Sequence, residues 1–185
     1  MLNISEASRV LHSGGTLAYP TEAVWGLGCD PYNELAFKKI LKLKERPIEK
    51  GVILLASSIE QVEPLLCSLK SKRRDDIIQS WLSVSERATT WLLPVTSDIP
   101  QWIIGQHTQV AVRVTQHTLC KALCNEFGNF IVSTSANPAG LSPATNLEKA
   151  KQYFGNQTKY IDGNLGTCQE PSRIIDAITG QVIRG

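Results

Sequence analysis

Apolar positions along this chain recur at two spacings, and the switches between them divide the sequence into elements. In "SEASRVLHSGG", Ala7, Val10 and Leu11 fall on one helical face, with Ser5 read as the N-cap and Gly14 as the stop. "TLAYP" reads as a strand that breaks at Pro20-Thr21-Glu22, followed by a turn built on Gly26 and Gly28. "NELAFKKILKLK" is a helix capped by Asn33, with Phe37, Ile40 and Leu41 inward and lysines outward. The short apolar run "GVILLA" has the pattern of a strand covered on both faces. "SKRRDDIIQSWLS", "HTLCKALCNEF" and "NLEKAKQYF" read as helices, the last capped by Asn146. "ATTWLLPV", "TQVAVRV" and "NFIVSTSAN" read as strands. The tail "SRIIDAITGQVIRG" reads as two strands joined by a tight hairpin at Thr179-Gly180. Interleaved helices and strands, with antiparallel pairs among them, predict an α/β fold with a mixed, twisted sheet.

A chain of 185 residues predicts one domain spanning 1–185. With 42% hydrophobic and 19% charged residues it has a globular composition, and a formal charge of +2 does not announce a nucleic-acid binder. "MLNISEASRV" lacks the basic-then-apolar pattern of a secretory signal, and no apolar run reaches a membrane span. These features predict a cytoplasmic protein. Five cysteines in no framework spacing predict free thiols, and Cys120 and Cys124 form no ligand motif with His12, His107 or His117.

Phosphate-loop, dinucleotide, nucleophile-elbow and zinc-protease motifs are all missing from the sequence. An enzyme with this sequence would work by holding and polarising substrates. Two constellations bear on that. In "KLKERP", Pro47 disfavours helical geometry at Arg46. An extended chain there would point Lys44 and Arg46 the same way and Glu45 the other, leaving both cations accessible to solvent. The pair suits a polyphosphate; it equally suits a lysine-rich face fraying into a loop. In "IVSTSANPAG", alternation puts Ser133, Ser135 and Asn137 on one face at a strand end, before a turn whose amides could cradle an anion. The same residues also make an ordinary polar strand end.

Taken in order, "AYPTEAVWGLG", "KLKERP", "VAVRV", "STSANPAG" and "PSRIID" resemble the YrdC-like family, specifically its short, single-domain bacterial form. The resemblance spans nearly the whole chain. It implies a YrdC-type fold with an open, positively lined crevice. It also implies a reaction that joins L-threonine, bicarbonate and ATP into L-threonylcarbamoyladenylate and pyrophosphate. That product serves the threonylcarbamoylation of adenosine 37 in tRNAs reading codons that start with A. By resemblance, Lys44 and Arg46 hold ATP phosphates and carry the catalysis. Ser135, Asn137 and Ser142 contact ATP, while Thr21, Arg113 and Ser133 hold threonine. Mg²⁺ would arrive with ATP, since no carboxylate cage is visible. Partners implied are tRNA or double-stranded RNA and the tRNA threonylcarbamoyl-transferase complex.

The sequence departs from the family pattern at several points. Glu45 stands where a glycine is usual, Thr115 where proline often follows "VRV", and Arg173 where the tail more often reads "ST". The loop after "TSAN" is a residue short, which bears on Ser142. Two other readings belong to different classes. One is an RNA-binding accessory protein of tRNA or ribosome maturation, carried by Lys70, Lys72, Arg73 and Arg74. The other is a carbamoyl-transfer enzyme of the hydrogenase-maturation type.

Overall fold

In the computed structural model, which describes residues 1–185 apart from 84 and 169, the first helix, α1 (Ile4–His12), is opened by Asn3. The Asn3 side chain accepts from the Glu6 N–H at 2.9 Å, and the Glu6 carboxylate accepts from the Asn3 N–H at 2.9 Å. This capping box satisfies two orphan donors, where a lone serine cap satisfies one, and so displaces the expected cap at Ser5.

The chain continues through β1 (Leu17–Pro20), β2 (Trp25–Gly28), α2 (Glu34–Lys44), β3 (Ile53–Ala56), α3 (Ile59–Leu66) and α4 (Ser71–Leu82). Then come β4 (Thr89–Pro94), α5 (Gln101–Ile104), β5 (Gln109–Val114), α6 (Thr118–Phe127) and β6 (Ile131–Ser135). The last elements are α7 (Leu147–Phe154), β7 (Lys159–Tyr160), β8 (Arg173–Asp176) and β9 (Val182–Arg184). Asn33 and Asn146 cap α2 and α7 as the sequence predicts.

The strands form one mixed sheet in the order β7-β1-β2-β6-β3-β5-β4-β8-β9. β1–β7, β3–β5 and β4–β8 run parallel; β1–β2, β2–β6, β3–β6, β4–β5 and β8–β9 run antiparallel. The mixed α/β class is therefore as expected.

Two differences from the sequence reading matter for the site. Gly26 and Gly28 lie in β2, paired with Tyr19 and Leu17, so the turn falls before them and not on them. The reason is the Tyr19 ring, which lies across this hairpin. A Cβ at Gly26 would meet Tyr19 Cε2 at 3.3 Å, and one at Gly28 would overlap the Val132 carbonyl and sit 2.8 Å from the Tyr19 hydroxyl. The β8–β9 connection is also wider than a two-residue hairpin. It is tied by Asp176, which accepts from the N–H groups of Ile178 and Thr179 at 2.7 and 2.8 Å.

Successive strand residues feed opposite layers. Leu54 and Val132 join the larger apolar cluster with Phe37, Ile77 and Phe154 of α2, α4 and α7. Leu55 and Ile131 join the smaller one with Leu11, Leu123 and Phe127 of α1 and α6. Alternation thus assigns the residues of β3, β5 and β6 in register with Leu55 to the α1/α6 face. Those helices cover only part of that face. Its remainder, around Ile53, Ala111, Arg113, Ser133 and Ser135, is the floor of a cavity.

Candidate active site

The cavity holds about 710 Å³, the scale of a site for a small-molecule substrate pair. Thr21 to Gly26 form one wall, Arg46 with Lys50 and Gly51 another, and Ser172 with Arg184 close the end beside β8. Four side chains of fixed positive charge line it, Arg46, Lys50, Arg113 and Arg184, against the two acids Glu22 and Glu170. Glu170 is paired with Arg87 at 2.7 Å, so the balance of the interior is cationic.

At the floor, Arg113 Nη2 lies 3.2 Å from Glu22 Oε2, an ion contact between two side chains that are each only 10% exposed. Thr115 Oγ1 donates to Glu22 Oε1 at 2.6 Å. Burial alone would raise the Glu22 pKa. The Arg113 charge and the Thr115 hydroxyl outweigh it and hold the carboxyl below its usual range. Thr21 and Ser133 stand beside Arg113 on the lining. The Thr21 hydroxyl donates to the Val24 carbonyl at 2.7 Å, which closes the turn between β1 and β2.

The cationic pair of "KLKERP" has a different geometry from the extended one. Lys44 is the last residue of α2, and Glu45 caps it in the left-handed region at φ 51°. The helix therefore ends by a left-handed cap, not by running into extended chain. Lys44 is not solvent-accessible, at 4% exposure. Its ammonium donates to the carbonyls of Ser135 and Asn137, the latter at 2.9 Å, and its own carbonyl accepts from Ala139 N–H at 2.8 Å. Burial first, then the Arg46 charge, push its pKa down to about 8. Arg46 alone of the pair lines the cavity, steadied by the Gly51 carbonyl at 2.9 Å.

Ser133 and Ser135 line the cavity, and so does Thr134 between them. Asn137 does not. Its N–H bonds back to the Ser135 carbonyl at 3.0 Å, and its amide braces the loop through the carbonyls of Pro138 and Leu141 at 3.0 and 2.7 Å. Ser142 is exposed and outside the cavity, while the next residue, Pro143, lines it. Cys120 and Cys124 are buried and free.

Sequence reasoning noticed Glu22 but gave it no partner, because Thr115 is 93 residues away. It also missed Arg184, whose guanidinium donates twice to the Ser172 carbonyl, at 2.6 and 3.1 Å, and pairs with no acid among the described residues. A lone cation near the end of an apolar tail strand carries no signal by itself.

This arrangement has counterparts. A sequence model of the Sua5/yciO/yrdC family, described as "Telomere recombination", matches residues 9–185. A threonylcarbamoyl-AMP synthase of Acinetobacter baylyi is 63% identical over 98% of this chain and 96% of its own. Among solved structures, P. abyssi Sua5 complexed with L-threonine superposes with a TM-score of 0.83 at 28% identity. The match covers 94% of this chain but only 50% of that one, so the chain spans about half the length of that protein. E. coli YciO shares the fold, with a TM-score of 0.80 at 22% identity over 98% of this chain and 87% of its own. With the family model covering all but the first eight residues and a relative this similar along its whole length, the chain belongs to the Sua5/YciO/YrdC family.

Proposed function

We propose that this protein is a threonylcarbamoyl-AMP synthase. The observation that carries the reading is the division of one cavity into two kinds of cationic site. Arg113 sits on the floor, balanced by a buried carboxylate, while Arg46 and Arg184 line the same volume and pair with no acid among the described residues. A zwitterionic amino acid suits the first, and a polyphosphate suits the second.

The threonine carboxylate takes the outward edge of Arg113, with Thr21 and Ser133 beside it. The neutral amine of threonine forms a C–N bond with carbon dioxide derived from bicarbonate, one water being lost. A carbamate oxygen then attacks the α-phosphorus of ATP. The bond from that phosphorus to the bridging oxygen breaks, and pyrophosphate leaves. Arg46 and Arg184 take up the charge that grows on the leaving group. Lys44 contributes from beneath the cavity. It holds the Ser135 and Asn137 carbonyls and so shapes the loop on which the nucleotide lies. Ser135 contacts the nucleotide directly; Asn137 acts by bracing the loop, and Ser142 contacts it only if that loop moves inward. ATP enters as its Mg²⁺ complex. Among the described residues no three His, Cys, Asp or Glu side chains gather to hold an ion.

We place the enzyme in the cytoplasm, handing its adenylate to the tRNA threonylcarbamoyl-transferase complex. No helix among the described residues is long and apolar enough to cross a membrane. Of the cluster behind the RNA-binding reading, Arg74 is paired with Glu63 and Arg73 packs against the Gly180 turn, while Lys70 and Lys72 are exposed. Incubation with labelled bicarbonate, ATP and L-threonine should put the label into a nucleotide-linked product. Incorporation from carbamoyl phosphate without threonine would instead identify a carbamoyl-transfer enzyme.

A further inference from the structure

The reaction as drawn gives Glu22 no step, yet this carboxylate is among the most constrained groups of the site. It is buried, its Oε1 is taken by the Thr115 hydroxyl and its Oε2 faces Arg113. Its backbone is pinned as well. The Glu22 carbonyl accepts from Cys168 N–H at 3.1 Å, and the Thr21 carbonyl from Gly166 N–H at 2.9 Å. Thr115 is fully buried. Its single hydroxyl proton goes to the carboxylate, and its oxygen accepts from the His117 N–H at 3.1 Å, so the direction of every bond is fixed. His117 in turn caps α6, with Nδ1 accepting from Cys120 N–H at 3.5 Å and Nε2 lying 3.0 Å from the Asn164 carbonyl.

The chain of contacts therefore runs from the start of α6 through Thr115 and Glu22 to the guanidinium. Among the described residues, Arg113 donates no hydrogen bond to a carbonyl or hydroxyl, and its buried Nε has no partner. Among the described residues Glu22 is the one acid in ion contact with it, at 3.2 Å, and Glu22 Oε2 makes no hydrogen bond to any group. We infer that Glu22 and Thr115 are positioning residues: Thr115 orients Glu22, and Glu22 aims Arg113 at the amino-acid carboxylate. An unanchored guanidinium would sweep several rotamers, and misplacement of about 1 Å is costly in a site of this kind. The departure at 115 has a purpose on this view. A proline there could not donate to the carboxylate, whereas threonine can.

The inference rests on the threonine reading of the cavity, and the experiment separates the two. Threonine binding is measured by calorimetry without ATP, and steady-state kinetics are measured for both substrates. Glu22→Gln, which keeps shape but loses charge, should weaken threonine binding roughly tenfold or more. Thr115→Val should raise the threonine Kd and KM about three- to tenfold, and Thr115→Ser should return both to within about twofold of wild type. The KM for ATP should stay within about twofold throughout. Unchanged threonine binding in Glu22→Gln and Thr115→Val would overturn the inference. So would parallel losses for threonine and ATP, which mark a merely structural role. If Glu22→Gln does not fold, the Val and Ser variants at 115 decide alone. Wild-type protein that binds no threonine would overturn the reading beneath the inference as well.

Discussion

At the scale of single residues, Glu45 shows what a sequence pattern conceals. It is the only non-glycine residue with positive φ among those described, at 51°. The usual glycine between the lysine and the arginine is thus a helix C-cap requirement, and this chain tolerates the strain of a side chain there. Glu45→Gly should stabilise the protein by about 0.5–1 kcal/mol, left-handed strain relieved less the extra entropy of unfolded glycine. Urea unfolding measures it, and a loss of stability would deny the cap. Lys44 makes a second case. Its folded pKa of about 8 lies below the ordinary 10.5, so between those values the unfolded chain binds more protons. Stability from this group must then rise with pH across that window. The wild-type unfolding midpoint should climb relative to Lys44→Met, which cannot titrate; a flat difference would mean the ammonium is not desolvated. For Arg46, which does reach the cavity, Arg46→Ala should cost roughly 2–4 kcal/mol in kcat/KM for ATP without unfolding the protein. Residue identities were legible in the sequence, because "PTE", "KLKERP" and "STSAN" are compact. Their partners were not, because Glu22 meets Arg113 and Thr115 only through the sheet.

Elements were legible where one period ran long enough. The helices that became α1, α2, α4, α6 and α7 carry apolar positions at three- and four-residue spacing, and the cores of β3, β5 and β6 are continuous or alternating. The helix α3 escaped because Pro64 lies inside it and reads as a breaker, and α5 and β7, of four and two residues, are too short to show a period. The strand β2 escaped for a different reason. Its glycines suggest a turn, yet they are demanded by the Tyr19 ring crossing the hairpin. Gly28→Ala should therefore destabilise the protein by about 1–3 kcal/mol, the scale of overpacking. Thermal melting checks it, and an unchanged Tm would show that β2 can move away from Val132.

For the whole molecule, the decisive fact is incomplete coverage. A mixed sheet has one face filled by α2, α4 and α7. Its other face is filled by α1 and α6 over part of its width and left open over the rest. Alternation in β5 and β6 then delivers Arg113, Ser133 and Ser135 to that opening. This could not be read from the chain, because strand order and helix coverage are set by contacts distant in sequence. On the proposed function, that opening takes the amino acid at Arg113 and the nucleotide phosphates at Arg46 and Arg184. The most direct test is pyrophosphate release from ATP and bicarbonate, assayed with and without L-threonine. The account predicts release only when threonine is present, in step with formation of the threonylcarbamoyl adenylate. Release that ignores threonine, or none with all three substrates, would contradict it.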